Sequence, residues 1–265
     1  MYPLLFDAAP TYFVMCVMTG IFVLTVGAET AARAGFHRGQ ALLVLTGMII
    51  IVIAGAKGQY LLELRLFPGD DYVPQHMRGL FHGFRIPGGI ALLGLAFPAL
   101  CAWAGMDWKS FGDCVIWVVA GGLIILRLGC FLNGCCFGGV TDVSWAVQFP
   151  PGSWPYWYHR THDLLSHPAS ASLPIHPTQL YWATAALALT LISRRTGRFP
   201  GDRLFAFFAT FFLTTLPIEF LRARPLSLNL MGLTILSATW AGLWLGQRMS
   251  SSICAPPANH CTRTK

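Results

Sequence analysis

Seven apolar stretches, each close to the length of a membrane-crossing helix, limit what this chain can fold into more than any other feature. They occupy residues 11–28, 41–64, 86–105, 115–132, 177–192, 204–221 and 226–245. A helix rises about 1.5 Å per residue, so roughly 20 residues cross a hydrocarbon layer of about 30 Å. In lipid every backbone N–H and C=O must be satisfied within the protein, and for runs of this length that means helices. Only 11% of the 265 residues are charged, against about a quarter in soluble domains, and mean hydropathy is +0.57. A soluble enzyme is thereby excluded. The expectation is an all-α integral membrane protein of about seven transmembrane helices.

The flanks refine this reading. Lys57, Gln59 and Glu63 interrupt the second stretch near its far end, so they face the protein interior or lie outside the hydrocarbon. Residues 1–10 carry no Lys or Arg, so the positive region of a cleaved signal peptide is missing and the first stretch is expected to be retained. A long connection rich in Pro, Trp and His separates the fourth and fifth stretches. Residues 1–247 read as a single membrane domain without internal repeats, and 248–265 as a disordered tail.

A formal net charge of +7 is compatible with nucleic acid or with anionic lipid. No basic run or basic amphipathic helix accompanies it, so anionic lipid is the expected partner and nucleic acid is not. With the amino terminus outside, ten cations fall on the inner side, including the cluster Arg194, Arg195, Arg198 and Arg203, and seven fall on the outer side. The outer arginines adjoin the motif-bearing stretches and serve better as anion ligands than as topology markers. The expected arrangement is N-out and C-in, with the long connection outside and the tail in the cytoplasm.

The most informative stretch is RLGCFLNGCCFGG, residues 127–139. Arg127 interrupts an apolar run, and a guanidinium at membrane depth costs about 2.5–3.5 kcal/mol on insertion scales. Its fixed fork of donors matches phosphate, and it stands one to two turns below the end of its segment, where a lipid phosphate is the natural partner. The other reading is a snorkelling arginine followed by a loop. Residues 140–152, VTDVSWAVQFPPG, alternate as a short strand or extended arm does. WPYWYHRTH then supplies aromatic rings suited to the headgroup level, as an interfacial loop or as a substrate contact. IHPTQLYW, residues 175–182, opens the fifth stretch, where His176 and Gln179 crowd the first turn. That helix end is either a cap or, facing Arg127, a seat for a negatively charged headgroup.

Eight cysteines occur without a CxxC pair or regular spacing, so no disulfide framework is expected. Cys130, Cys135 and Cys136 cluster, but soft-metal sites usually show paired spacing with further ligands nearby, which favours small-residue packing between helices. Neither a metal nor a cofactor is expected.

Taken together, RLGCFLNGCCFGG, SWAVQFP and HPTQLY, in this order and at this spacing, resemble the prolipoprotein diacylglyceryl transferase family of bacterial inner membranes. The earlier GAKGQYLLE and RIPGG and the later PIEFLR fall in the family's order, so the likeness covers roughly residues 11–236. The resemblance implies a seven-span, multi-pass enzyme of the bacterial inner membrane with a periplasmic amino terminus. Such an enzyme moves the diacylglyceryl group of phosphatidylglycerol to the lipobox cysteine thiol in the signal peptide of a preprolipoprotein, releasing glycerol phosphate.

Residue by residue, Arg127, Asn133 and Gly138 match the family's central motif, His176, Gln179 and Tyr181 its HP[ST]QLYE, and Glu219 and Arg222 its late EFFR motif. The resemblance thus implies Arg127, His176 and Glu219 as catalytic candidates, and His82 joins them as the nearest substitute for a third-span histidine that the family has five residues later, at position 87. Arg127, Asn133, Gly138, Gln179, Tyr181, Arg222 and Arg85 are the candidates for substrate binding. Arg127 is the main headgroup ligand, aided by Arg85 or Arg222, and Glu219 and Arg222, three apart on one helical face, are expected to pair. His82 and His176 are the candidate general bases. Tyr181 orients headgroup oxygens or anchors the helix end.

The departures are as informative. Pro87 stands where the family has a histidine, Cys130 replaces its asparagine, Cys135 its glutamate, Trp182 the acid closing HPTQLY, Thr215 an arginine and Leu233 a glutamine. Two alternatives therefore stay open: a related transferase with a different acceptor, and a non-catalytic paralogue that binds or transports phospholipid.

Overall fold

The computed structural model describes residues 4–5, 9–66, 83–165, 169–193, 195, 197, 199–223 and, within 232–249, all but 233, 234, 237, 244 and 247. Two short antiparallel strands, β1 (Leu4–Leu5) and β2 (Ala9–Pro10), precede a set of helices. These are α1 (Thr11–Arg33), α2 (Arg38–Leu66), α3 (Ile86–Trp103), α4 (Trp108–Asn133), α5 (Trp154–Thr161), α6 (Thr178–Ser193) and α7 (Asp202–Phe220). Five of them, α1, α2, α3, α4 and α7, are long and apolar enough to cross a membrane, and α6 is a shorter apolar helix. The protein is a multi-pass membrane protein. Leu95 is 82% exposed and Ile21 57%, as side chains turned toward lipid are.

Local chemistry sets the helix limits. The Asp107 carboxylate accepts from the Ser110 N–H at 2.9 Å and starts α4, while Gly134, at φ +75°, ends it in the left-handed region that glycine tolerates. Asp113 on α4 accepts from the backbone N–H groups of Gly201 and Leu204, both at 2.8 Å, so one carboxylate fixes where α7 begins. Ser153 caps α5, with Pro155 in its first turn. The aromatic stretch, read as an interfacial loop or a substrate contact, is a short helix, because it carries both a cap and a proline where a helix start needs them.

Packing follows small residues. Gly122 and Gly129 of α4 abut Val23 and Met15 of α1, and Gly55 of α2 faces Gly88 and Gly89 of α3 so closely that a side chain on any of the three would collide. Phe111, Phe205, Phe207, Phe211 and Phe212 fill the core, and Trp240 packs on Phe205 and Phe208 with centroids 5.7 and 4.8 Å away. Residues 238–243 are helical, inside the expected seventh stretch. Arg248 and Met249 are also helical, so helix extends past the point where the tail was expected to begin.

One end of the assembly gathers the motifs. Bridges between Gly138 and Arg222, and from Ile175 to both Val140 and Val147, join the end of α4, the start of α6 and the end of α7. Val140 and Val147 of the 140–152 stretch thus pair through isolated bridges, as an extended arm does, with turns at 144–145 and 151–152.

Candidate functional site

Arg127 is 5% exposed. Its guanidinium carbon lies 4.1 Å from the centroid of the Trp182 ring on α6, and its Nε has no hydrogen-bond partner. Among the described residues no carboxylate pairs with it. An aromatic face steadies a cation without neutralising it, and a buried fork without a carboxylate partner is what a phosphate ligand requires.

The other two candidate arginines are already engaged. Arg222 Nη1 reaches both Glu219 oxygens, at 2.9 and 3.2 Å, and Glu219 is 1% exposed. Arg85 pairs with buried Glu63 and lies over the Tyr60 ring at 5.6 Å. Gln59 ties that pair in place, donating to Glu63 and accepting from the Gly88 N–H. All of the polar interruptions of the second stretch are thereby accounted for, since Lys57 lies over the Tyr60 and Phe84 rings.

The loop after α4 is held by the start of α6. Thr178 Oγ1 donates to the Cys136 carbonyl at 2.8 Å, and Gln179 Nε2 donates to that of Cys135 at 2.7 Å. Gly138 donates its N–H to the His176 carbonyl, and Gly139 to that of Leu221. A side chain on Gly138 would strike His176 and Leu221. Cys136 takes a left-handed φ of 57°, unusual for a residue with a side chain. In this loop the sulfurs of Cys130, Cys135 and Cys136 all lie within 4.8 Å of one another, which simple packing of small residues did not anticipate. The Cys135 thiol donates to the Cys130 carbonyl at 3.7 Å, and Arg222 and Arg127 both stand within electrostatic reach of Cys136. Tyr12 of α1 stands within electrostatic reach of all three.

His176 Nδ1 is 3.2 Å from the Tyr181 hydroxyl, which accepts from Trp145 Nε1 at 2.7 Å. In this relay the tyrosine hydroxyl accepts from the indole and has its own hydrogen left for the imidazole Nδ1. Asn133 is the last residue of α4. Pro87 is buried in the first turn of α3, where it starts a helix. His82 lies outside the described residues. Farther along, His159 of α5 accepts from the Leu173 N–H at Nδ1, and burial pushes its imidazole below the ordinary value, with His162 adding to the shift.

The sequence reading missed the Arg127–Trp182 stack, the Trp145–Tyr181 bond and the Arg85–Glu63 pair. Only the last had a signal, the i,i+4 spacing of Gln59 and Glu63 within an apolar helix.

The family described as prolipoprotein diacylglyceryl transferase matches residues 5–255 of this chain. The chain belongs to that family. It is 29% identical over 214 residues to the phosphatidylglycerol–prolipoprotein diacylglyceryl transferase of Geobacter sulfurreducens, covering 75% of this chain and 74% of the relative. It is 30% identical over 253 residues to the enzymes of that name in Aliivibrio salmonicida and Aliivibrio fischeri, covering 87% of this chain and 78% and 80% of theirs. As a diacylglyceryl transferase family member, the chain is a transferase by kinship, and three of its substitutions, Cys130, Cys135 and Trp182, stand in or beside the loop just described. Trp182, in place of an acid, is the ring beneath Arg127. Cys130 and Cys135, in place of an amide and an acid, are two of the three clustered thiols.

Proposed function

We propose that this protein transfers the diacylglyceryl group of phosphatidylglycerol to the lipobox cysteine thiol of preprolipoproteins, releasing glycerol phosphate, at the periplasmic side of a bacterial inner membrane. The observation that carries this reading is Arg127, buried on Trp182 with no carboxylate partner among the described residues. In this reading Arg127 binds the phosphate and steadies the charge that grows on it as the glyceryl carbon–oxygen bond breaks. Glu219 with Arg222, and Glu63 with Arg85, frame the pocket as ion pairs. Gln179 and Gly138 hold the loop at its required closeness. The Tyr181–His176 relay and Asn133 face the headgroup and acceptor. The chain forms one seven-span domain with its amino terminus outside and its carboxyl terminus in the cytoplasm, the seventh span running through 238–243.

The test is turnover by purified protein in detergent with phosphatidylglycerol labelled in its non-acylated glycerol and a lipobox peptide, both products being followed by mass. Peptide gaining a diacylglyceryl mass together with labelled glycerol phosphate supports the reading. Lipid that binds without being consumed, while an authentic family enzyme works in parallel, overturns it.

A further inference from the structure

The clustered thiols lie beside the arginine that the proposed reaction uses. Arg127 and Cys130 are three apart on α4 and share a face. Cys135 and Cys136 are brought to Cys130 by the Gly134 turn and the left-handed Cys136, and their carbonyls are fixed by Gln179 and Thr178. Tetrahedral zinc thiolates, with bonds of about 2.3 Å, hold their sulfurs roughly 3.8 Å apart, so three sulfurs within 4.8 Å need only a small contraction to share one ion. Soft sulfur donors select ions such as Zn2+ or Cu+. Cys130 is buried, whereas Cys135 and Cys136 are half-buried, which leaves the cluster an open side. Among the described residues no fourth ligating side chain joins the group. Three protein ligands and an open position are the pattern of a zinc site that takes a substrate, rather than of a closed structural one.

We propose that Cys130, Cys135 and Cys136 bind a soft d10 cation, Zn2+ first among them, with a fourth position open to the acceptor thiol. This rests on the transferase reading and names how that site takes its second substrate. A thiol that coordinates such an ion gives up its proton. Arg127 holds the phosphate next to it. The thiolate sulfur forms a bond to the glyceryl carbon as that carbon's bond to the phosphate oxygen breaks, the electron pair leaves with glycerol phosphate, and the thiol's proton ends on that phosphate. No histidine is then needed where Pro87 stands. The net negative charge of a tris-thiolate zinc is eased by Arg127, which is close enough to act on Cys136.

The experiment uses Co2+ as the probe on reduced, full-length protein in detergent. The expected result is one Co2+ per chain, with the charge-transfer and ligand-field bands of a tetrahedral thiolate site. Cys130→Ser, Cys135→Ser and Cys136→Ser should each weaken binding by more than the roughly 10–100-fold that loss of an outer-shell partner costs. Cys114→Ser, which keeps a donor for the Thr30 carbonyl, should leave it unchanged. A lipobox peptide should shift the ligand-field bands, and the same peptide with serine for cysteine should not. Size-exclusion profile and thermal midpoint establish that each variant is folded. Equal Co2+ binding by wild type and the triple serine variant overturns the site, as does a disulfide among the three thiols in protein isolated from membranes. Bands that ignore the cysteine peptide overturn the open position. Full turnover by metal-free protein overturns the metal's role while leaving the transferase reading intact. Peptide-responsive bands in a protein that never consumes phosphatidylglycerol support the site and overturn the transfer instead.

Discussion

Two sites in the helix assembly, the start of α7 and Arg127 on α4, treat buried charge in opposite ways. At the first, Asp113 is satisfied by two backbone N–H groups of the helix start, and Asp202, fully buried, accepts from the Phe199 N–H and lies 3.5 Å from Arg248. Those acids close the fold. At the motif end Arg127 is nearly as deep, yet no carboxylate among the described residues pairs with it and its face rests on a ring. A ligand that completes the interaction would offset the desolvation cost of such a cation. Charge that is satisfied by backbone builds structure, and charge left open awaits a ligand.

The sharpest way to break this comparison is to treat a paired arginine and the open one alike. Arg85→Ala leaves Glu63 buried without its cation, so thermal stability in detergent is expected to fall by up to about 3–5 kcal/mol, and adding Glu63→Ala should restore part of it. Arg127→Ala should leave the unfolding midpoint unchanged or raised, while transfer falls by about 100–1,000-fold, as loss of one stabilising donor does elsewhere. A large stability loss in Arg127→Ala would make it a structural cation and erase the distinction between the two sites. Next in size, Asp113→Ala strips acceptors from the start of α7 and should cost about 1–3 kcal/mol, with turnover per folded molecule retained.

The smallest effect concerns pH. His159 is held neutral, its folded value lying below its unfolded one. Its contribution is therefore complete above about pH 6.5 and declines as pH falls toward the folded value, because the unfolded chain takes up the proton first. The Leu173 amide, which donates to His159 Nδ1, should lose exchange protection on mild acidification after correction for intrinsic rates. Unchanged protection would show that the Tyr158, Phe137 and His162 rings around it hold this loop without the imidazole.

Much of this was readable from sequence because hydrophobic length and misplaced charge are local properties. The apolar stretches announced the membrane helices, Arg127 announced itself by its cost, and Glu219 with Arg222 paired as their i,i+3 spacing required. What escaped was set by tertiary approach. Trp182 meets Arg127 only because α4 and α6 pack together, and Tyr181 meets Trp145 only because the extended arm returns alongside α6. The three cysteines looked like packing residues since their spacing lacks the usual ligand pairs. A turn at Gly134 and one left-handed residue, neither visible as a motif, turn that spacing into a cluster. The helix at Trp154–Thr161 was hidden by its aromatic composition, which described its surroundings better than its backbone.

The brevity of α6 has a consequence for the lipid itself. Its 16 residues, at about 1.5 Å each, reach roughly 24 Å against a hydrocarbon thickness of about 30 Å, and Leu187, Leu191 and Ile192 are exposed along it. A bilayer meets a short wall by thinning beside it. Under the proposed reading, such a dimple would lower the headgroup plane next to Trp182 and bring a phosphate toward Arg127 without its acyl chains leaving the leaflet. Turnover should then decline in bilayers of longer acyl chains, where deepening that dimple costs more.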